Sequence, residues 1–583
     1  MSAVNRIVSR TLALVVSWGL AVLLAGCGSG GRGLQRFPTA VPTWPVTPTP
    51  TATPSPTPTP SPTPTPLVTA PPAIVLPDSS GVAVACAPNT LRLPLTRSPG
   101  GRIGAVSRIA VSGDTLFLLI DGGLYQLDRL TADAGVPHLL PVLLPGDRVA
   151  ARPVQELSDL AVDTRSGLVY VLDKAGNVFR YEVATKLTAI SYNADPQADY
   201  DADLAPQIDA ITLDAEGRLI LLDTAHGMLW TTNGIGSLTL VNKARRLEQG
   251  VDVTAADGRF FVLRYDGSIV TVADELGSEI WRGPDAGGLG LALTTSTQFG
   301  GLEMIYAVDG LRREVIGMLP SNDQPVIRYA FAFPDMGLLR DVAFAGGRLY
   351  AVADDQLLVF PGPASETGGT ACPPPSPGSY TRPRLYGIDV ITALYGTTFP
   401  IEGATLPPWS RVYPGASRLY RLGVHQGLDI FAYNAPAGFG IGWPVLAMAA
   451  GEVERSVLTY TDMSDEEFEQ MTALAQALGQ TPPDILERLA GRQVILDHGQ
   501  GIRSVYSHLD EVAPGVVTGA QVQAGQLIGT VGVSGTQGEA RPGTVGPHLH
   551  FEIWLGERYL GQGITLRETM WWYEQIYGSR ENE

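Results

Sequence analysis

The sequence predicts a mainly β protein: a six-bladed β-propeller followed by a small antiparallel β domain that carries a helical hairpin as an insertion. Three observations predict it. A unit of short apolar runs bounded by Gly/Asp turns recurs over residues 82–375. A Pro-rich joint follows at 376–392. From about 385 to 565 further short β runs alternate with Gly-rich turns, interrupted once by a segment of helical periodicity.

The repeat is clearest in its first copy. Ile109-Ala110-Val111 leads to a turn at Ser112-Gly113-Asp114, then Thr115 to Leu119, a turn at Asp121-Gly122-Gly123, and Leu124 to Leu127. The plan returns at Leu160–Val162, Ile211–Leu213, Val253–Ala255, Leu291–Leu293 and Val342–Phe344. A spacing of roughly 40 to 50 residues suits propeller blades, and six copies give six blades. The unit resembles NHL-like propellers in pattern only; a tandem of β-sandwiches is the alternative. His138 and His226 stand alone in this region and read as surface or turn residues.

At 583 residues the chain exceeds what one core can bury. Its net charge of −18, without a basic stripe, argues against a nucleic-acid partner. At the N-terminus, Arg6 and Arg10 precede an apolar run from Thr11 to Leu24, too short to span a membrane comfortably and laid out as a secretory signal over residues 1–26. Leu24-Ala25-Gly26-Cys27 resembles a bacterial lipobox, which implies lipidation at Cys27 and an exported protein held at a membrane. Within residues 27–81, the stretch from about Pro38 to Pro77 is dominated by Pro and Thr. It cannot form a packed core, and as polyproline II its roughly 40 residues reach on the order of 120 Å, enough for a stalk.

Two further cysteines, Cys86 and Cys372, bracket the propeller. Neither has a C-x-x-C partner, so they form either a disulfide or two buried thiols. First and last blades meet in a closed ring, so a disulfide between them is expected, contributing on the order of 4 to 5 kcal/mol if unstrained.

The chemistry concentrates in residues 393–583. Of seven histidines in the chain, five lie between 425 and 550. His425 and Asp429 sit in H-Q-G-L-D. His548 and His550 sit in G-P-H-L-H-F-E-I, where i and i+2 on a strand share one face. Tyr506-Ser507-His508-Leu509 brings another imidazole. Two His and one Asp leave an open position on tetrahedral zinc, where a water becomes a nucleophile at neutral pH. The remaining histidines can move protons or stabilise an oxyanion. His498 reads as structural, at a strand end. Asp497, Asp510 and Glu552 read as strand and turn decoration, and Ser534 lacks the surroundings of a nucleophile.

Four ordered motifs carry a family resemblance: G-V-H-Q-G-L-D-I, V-I-L-D-H-G-Q-G-I-R-S-V-Y-S-H-L, V-Q-A-G-Q-L-I-G-T-V-G-V-S-G and G-P-H-L-H-F-E-I. Together they resemble the M23 metallopeptidases of the lysostaphin/LytM type, which cut peptide bonds of peptidoglycan. The resemblance implies that His425, Asp429 and His550 hold one Zn2+ per chain and that His508 and His548 are catalytic. It implies a peptidoglycan peptide as substrate; the propeller would then be a binding or positioning module. Two other readings remain: a non-enzymatic surface scaffold, or a zinc peptidase acting on an extracellular protein.

One departure from the family falls at 462–490. Ser464-Asp465-Glu466-Glu467 is a capping-box signature. Phe468, Met471, Leu474 and Leu478 follow at helical spacing, and Gly479 stops the run. Thr481-Pro482-Pro483-Asp484 starts a second helix, with Pro at its first position, that ends at Gly491. The pair reads as an αα-hairpin, either packed on the sheet as a surface elaboration or forming a lid.

Overall fold

A computed structural model describes residues 84–578 apart from loop segments, the longest being 129–138, 193–205 and 362–381. The expectations for Cys27, His138 and the Cys86–Cys372 disulfide lie outside the described residues; of Cys86 only the backbone is described.

Six sheets form the propeller. Their innermost strands are Val106–Ser112, Leu157–Asp163, Ile208–Leu213, Gly250–Ala256, Gly290–Ser296 and Leu339–Ala345, and each neighbours the next around a closed ring. Every one of the six recurring apolar runs lies in an inner strand. Each packs between its own blade and the adjacent ones, and those of the first, fourth and sixth blades are buried along most of their length.

The ring is closed by exchange of strands. The sixth blade takes three strands from Leu339–Ala345, Arg348–Ala353 and Gln356–Pro361. Its outer strand is Leu91–Pro94, paired antiparallel with Leu91 opposite Val359. Just before it, Val84–Cys86 adds to the fifth blade in parallel, Val84 opposite Ala330.

Each inner strand carries a register shift near its start, between Leu157 and Asp159 in the second blade and at equivalent places in the others. Such bulges re-aim the following side chain. In three blades that side chain is an aspartate, Asp159, Asp252 or Asp341, and in the first it is Arg108; all four are buried. Arg108 Nε lies 3.0 Å from Asp159, and its Nη1 lies 3.7 Å from Asp252 and donates to the Leu291 carbonyl at 3.0 Å. The carboxylates also staple adjacent blades. Asp159 accepts from Ile211 N and Asp341 from Ile109 N, both at 2.7 Å.

The C-terminal domain is built on an antiparallel sheet in the order Leu428–Phe431, His548–Leu555, Ile502–Ser507, Val494–Asp497, Gly451–Ser456, Gln521–Val522. A second sheet, Pro444–Leu446, Leu527–Val531 and Leu509–Val512, packs on it. His548–Leu555 shows why one face carries chemistry. Leu549, Phe551, Ile553 and Leu555 point into the core, so His548, His550, Glu552 and Trp554 share the other side.

The inserted helices are Asp465–Leu478 and Pro483–Ala490. Ser464 Oγ accepts from Glu467 N at 3.2 Å, but the Glu467 carboxylate does not complete the capping box. It pairs with Arg488 of the second helix at 2.6 and 2.9 Å. The expected apolar stripe holds only in part. Phe468 is buried and Met471 packs against it, whereas Leu474 and Leu478 are exposed and Thr472 and Ala475 take the inward face. The hairpin buries a narrow seam against Ile485 and Leu489, too narrow to cover the outer leucines.

A final helix, Leu566–Tyr577, was not anticipated. Thr565 caps it, accepting from Glu568 N at 3.2 Å. It buries Met570, Trp571, Trp572 and Tyr573 in one apolar core that continues through Leu338 and Leu339 into the propeller. Polar contacts reinforce this union. Arg558 donates to Asp121 at 2.7 Å, Tyr559 OH to Glu156 at 2.6 Å, and the buried Lys174 to the Gly561 carbonyl at 3.2 Å. The two domains are one packed body.

Candidate metal centre

Strand pairing builds the centre. Asp429 lies opposite His550 on the neighbouring strand, and Phe431 opposite His548. His425 precedes the first strand on the Gly423–Val424 hairpin, its backbone N–H donating to the Ala416 carbonyl at 2.8 Å. Three atoms converge: His425 Nε2, Asp429 Oδ1 and His550 Nδ1, each 2.9 Å from the other two. Among the described residues this is the one group of His, Cys, Asp and Glu suited to a metal ion.

Their partners fix the tautomers. His425 Nδ1 lies 3.1 Å from the Tyr413 carbonyl, which can only accept, so that nitrogen carries the proton and Nε2 presents a lone pair. His550 Nε2 lies 2.9 Å from Glu552 Oε1, so its Nδ1 is the free acceptor. Glu552 is itself held by Trp554 Nε1 at 2.6 Å. Asp429 Oδ2 accepts from Arg418 at 3.0 Å, leaving Oδ1 to face the histidines.

Three acceptors at this separation repel unless a cation or a proton sits among them. Without a metal the proton goes to His550. Although burial disfavours its charged form, Asp429 and Glu552 push it up to about 9. Burial, with Arg418 nearby, pushes His425 down to about 3. Burial alone would raise Asp429, yet His425 and His550 hold it well below the usual carboxylate range. A divalent ion satisfies all three groups at once, and the N2O donor set suits zinc.

His508 and His548 flank the trio, with ring centroids 4.8 Å apart; His508 lies 5.6 Å from His550. His508 Nδ1 lies 2.8 Å from the Ser534 carbonyl and His548 Nδ1 3.0 Å from that of Gly546, so both rings keep Nε2 as an acceptor. Burial lowers both from the usual imidazole range; His508 falls well below it, with His548 and His550 beside it.

The insertion reaches this site. His508 takes the left-handed backbone conformation, φ 62°, unusual for a residue with a Cβ. Its N–H donates to the carbonyl of Ala490, the last residue of the second inserted helix, at 3.0 Å. The next residue, Gly491, has φ 67°, and a Cβ there would lie 2.2 Å from the Ser534 oxygen. Tyr460 and Gly535 N both donate to Glu539 in the same loop, at 2.7 and 2.9 Å. The hairpin therefore braces the loop that orients His508, a role beyond surface elaboration.

Of the other residues weighed from the sequence, His498 bonds Ala450 O at 2.9 Å and Ser504 Oγ at 2.7 Å, away from the centre. Asp497 caps a turn through Gly499 N at 2.8 Å. Ser534 Oγ bonds Arg492 N and Leu509 O and acts through its backbone. His226 pairs with Asp223 at 2.9 Å in a propeller turn. Glu552 does more than decorate its strand, since it sets the tautomer of His550. Its position two residues beyond His550 on the same strand face was the signal. Arg418 and the Tyr413 carbonyl had no sequence signal.

Residues 423–561 match peptidase family M23, a family of metal-dependent peptidases. No curated protein matches the chain. Solved structures similar to parts of it include a protein of unknown function from Bacteroides thetaiotaomicron, at 12% identity and TM-score 0.35, covering 47% of this chain and 76% of that one. A streptogramin B lyase shows 12% identity and TM-score 0.32 over 46% and 97%. Virginiamycin B lyase from Staphylococcus aureus with quinupristin shows 10% identity and TM-score 0.32 over 47% and 99%. The propeller assignment rests on strand order, not on these likenesses.

Proposed function

We infer, from an M23 peptidase domain that gathers three lone pairs at one point, that this protein is a zinc endopeptidase hydrolysing peptide bonds of peptidoglycan. The observation that carries the reading is the mutual 2.9 Å approach of His425 Nε2, Asp429 Oδ1 and His550 Nδ1. These residues would hold the ion. A zinc ion bound there supplies Lewis acidity, which polarises a carbonyl and lowers the pKa of a water. The Nε2 atoms of His508 and His548 accept the proton released as a water adds to the scissile carbonyl. The imidazolium so formed donates to the developing oxyanion or to the departing amine. Glu552, Arg418 and the Tyr413 carbonyl keep the ligand atoms aimed.

The composition of the first 81 residues supports an exported lipoprotein: a signal segment, Cys27 as the lipidated residue, and a Pro/Thr-rich stalk. Such a protein works on the outer side of a membrane, where peptidoglycan is within reach. The propeller, sharing a core with the peptidase domain, serves as its rigid platform.

Metal analysis of the purified protein, together with mass spectrometry of digested peptidoglycan, tests the reading. One zinc per chain and released cross-link peptides are expected, both lost in His550→Ala. A wild type without metal that leaves every peptidoglycan intact sinks it.

A further inference from the structure

Four aromatic rings lead from the metal centre to the surface. His548 stacks on Phe431, with centroids 4.4 Å apart and planes at 19°. Phe431 stacks on Tyr433 at 5.5 Å and 21°, and Tyr433 meets Trp409 edge to face at 4.5 Å and 84°. The first two rings are largely covered, whereas Tyr433 is 49% and Trp409 42% exposed. Scattered apolar residues on a surface need no explanation. Two large rings locked against each other beside a reactive centre are a different case.

Both rings are held rigidly. Tyr433 lies in the turn Ala432–Asn434. The Asn434 side chain accepts from Phe431 N at 2.9 Å and donates to the Thr405 carbonyl at 2.7 Å, and Thr405 N donates to the Asn434 carbonyl at 2.8 Å. Trp409 precedes the turn Ser410–Val412. That segment is pinned by Tyr413 OH to the Pro407 carbonyl at 2.9 Å, and Tyr413 is the residue whose own carbonyl orients His425. A ligand meeting this surface has little to order. Polar groups border it. The Arg411 guanidinium lies over Trp409 at 5.8 Å, and burial with Asp429 nearby pushes the Tyr433 phenol up to about 12, so it keeps its proton.

We propose that Trp409 and Tyr433 form a saccharide-binding subsite of the metal centre, taking a pyranose ring of an N-acylated hexosamine strand beside the scissile peptide. The proposal rests on the peptidoglycan reading and deepens it. A pyranose presents one face of C–H bonds and an edge of hydroxyl and acyl oxygens. The C–H face complements the electron-rich faces of indole and phenol. The polar edge meets the Arg411 guanidinium and the Tyr433 hydroxyl. Two exposed rings at 84° make an open corner suited to a ring lying on them, rather than a pocket that encloses a side chain.

Calorimetric titration of the full-length zinc-loaded protein with a soluble N-acetylglucosamine tetrasaccharide tests this. Saturable binding is expected, weakened about tenfold or more in Trp409→Ala and in Tyr433→Ala. Leu187→Ala, which removes an exposed leucine on the second blade, leaves it unchanged. Zinc content and melting temperature establish that the variants are folded. A wild type that does not bind the saccharide, or a Trp409→Ala protein that binds it equally well, overturns the proposal. Hydrolysis of peptidoglycan is scored separately. Saccharide binding lost in Trp409→Ala by a protein that cuts no peptidoglycan leaves the subsite standing and removes the proposed substrate. Hydrolysis with tetrasaccharide affinity untouched by Trp409→Ala does the reverse.

Discussion

Arg340 of the propeller and Glu568 of the C-terminal helix, 228 residues apart, form a buried two-pronged ion pair: Nε to Oε2 at 2.9 Å and Nη2 to Oε1 at 2.9 Å. Trp572 Nε1 adds a third contact to Glu568 at 3.2 Å, and Arg340 also donates to the Arg384 carbonyl at 3.3 Å. The pair has no access to solvent and so is not weakened as a surface pair would be.

Glu568→Ala leaves the buried Arg340 without its two-pronged partner, with the Asp354 carboxylate 3.6 Å from Nη1 as the remaining ion-pair contact. A loss of about 3 to 5 kcal/mol is expected, whereas replacing both partners by Met and Leu costs much less. Denaturant titration of the two variants measures this. Because the domains share a core, wild type should unfold with the propeller and peptidase domain together. Equal stability of Glu568→Ala and the double variant would show that the pair is not the joint.

Loading the centre with zinc should expel a proton. Near neutral pH the metal-free site keeps a proton on His550, which is pushed up to about 9. Calorimetry in buffers of different ionisation enthalpy should therefore find about one proton released per zinc bound. Affinity should fall as pH drops, since protons compete for the same nitrogen. Chelation should abolish hydrolysis, and zinc should restore it. Proton-neutral binding at pH 7 would contradict the protonated state assigned to His550.

The propeller axis should make stability fall as pH rises. Burial, opposed by Arg108, pushes Asp159 up to about 7 and Asp341 up to about 8, against 3.8 in the unfolded chain. Between pH 4 and pH 8 the folded state binds more protons than the unfolded one. Their stabilisation is complete below about pH 4 and fades as pH rises through 7 to 8. Asp341→Asn should flatten this contribution, read as a smaller difference in melting temperature between pH 5 and pH 8.5. An unchanged difference would remove Asp341 from the account.

Gly491→Ala should injure catalysis without emptying the metal site. The new Cβ would press on the Ser534 carbonyl, which orients His508, and it would demand a backbone conformation that side chains avoid. A displaced imidazole can cost about 100-fold in kcat. Zinc content should persist, because His425, Asp429 and His550 touch neither segment directly. Kinetics and metal analysis on the same sample check it; a wild-type kcat would dismiss the brace.

What the sequence disclosed follows physical range. The six inner strands were visible because each is a local apolar run between turn residues, and Ser464 and Gly479 marked the ends of an inserted helix. His425, Asp429, His508, His548 and His550 stood out because rare side chains fell at short, regular spacings. The outer strand Leu91–Pro94 was not visible, since its partner lies more than 260 residues away and nothing local marks it. Arg418 and the Tyr413 carbonyl escaped for a similar reason: an arginine or a backbone oxygen acquires its role only from what the fold sets beside it. The helix Leu566–Tyr577 was hidden because its buried side includes Arg567, Glu568 and Thr569 beside the aromatic run, which breaks the apolar periodicity.

Strand exchange in the propeller has a mechanical meaning. The chain enters the ring through Val84–Cys86 on one blade and Leu91–Pro94 on the next, so a pull from the N-terminal side loads two rows of backbone hydrogen bonds along the strand axis. Loaded in shear, such rows share the force instead of opening one bond at a time. Strain so applied would fall first on the rim of the fifth and sixth blades, away from the histidines and aspartate of the C-terminal domain.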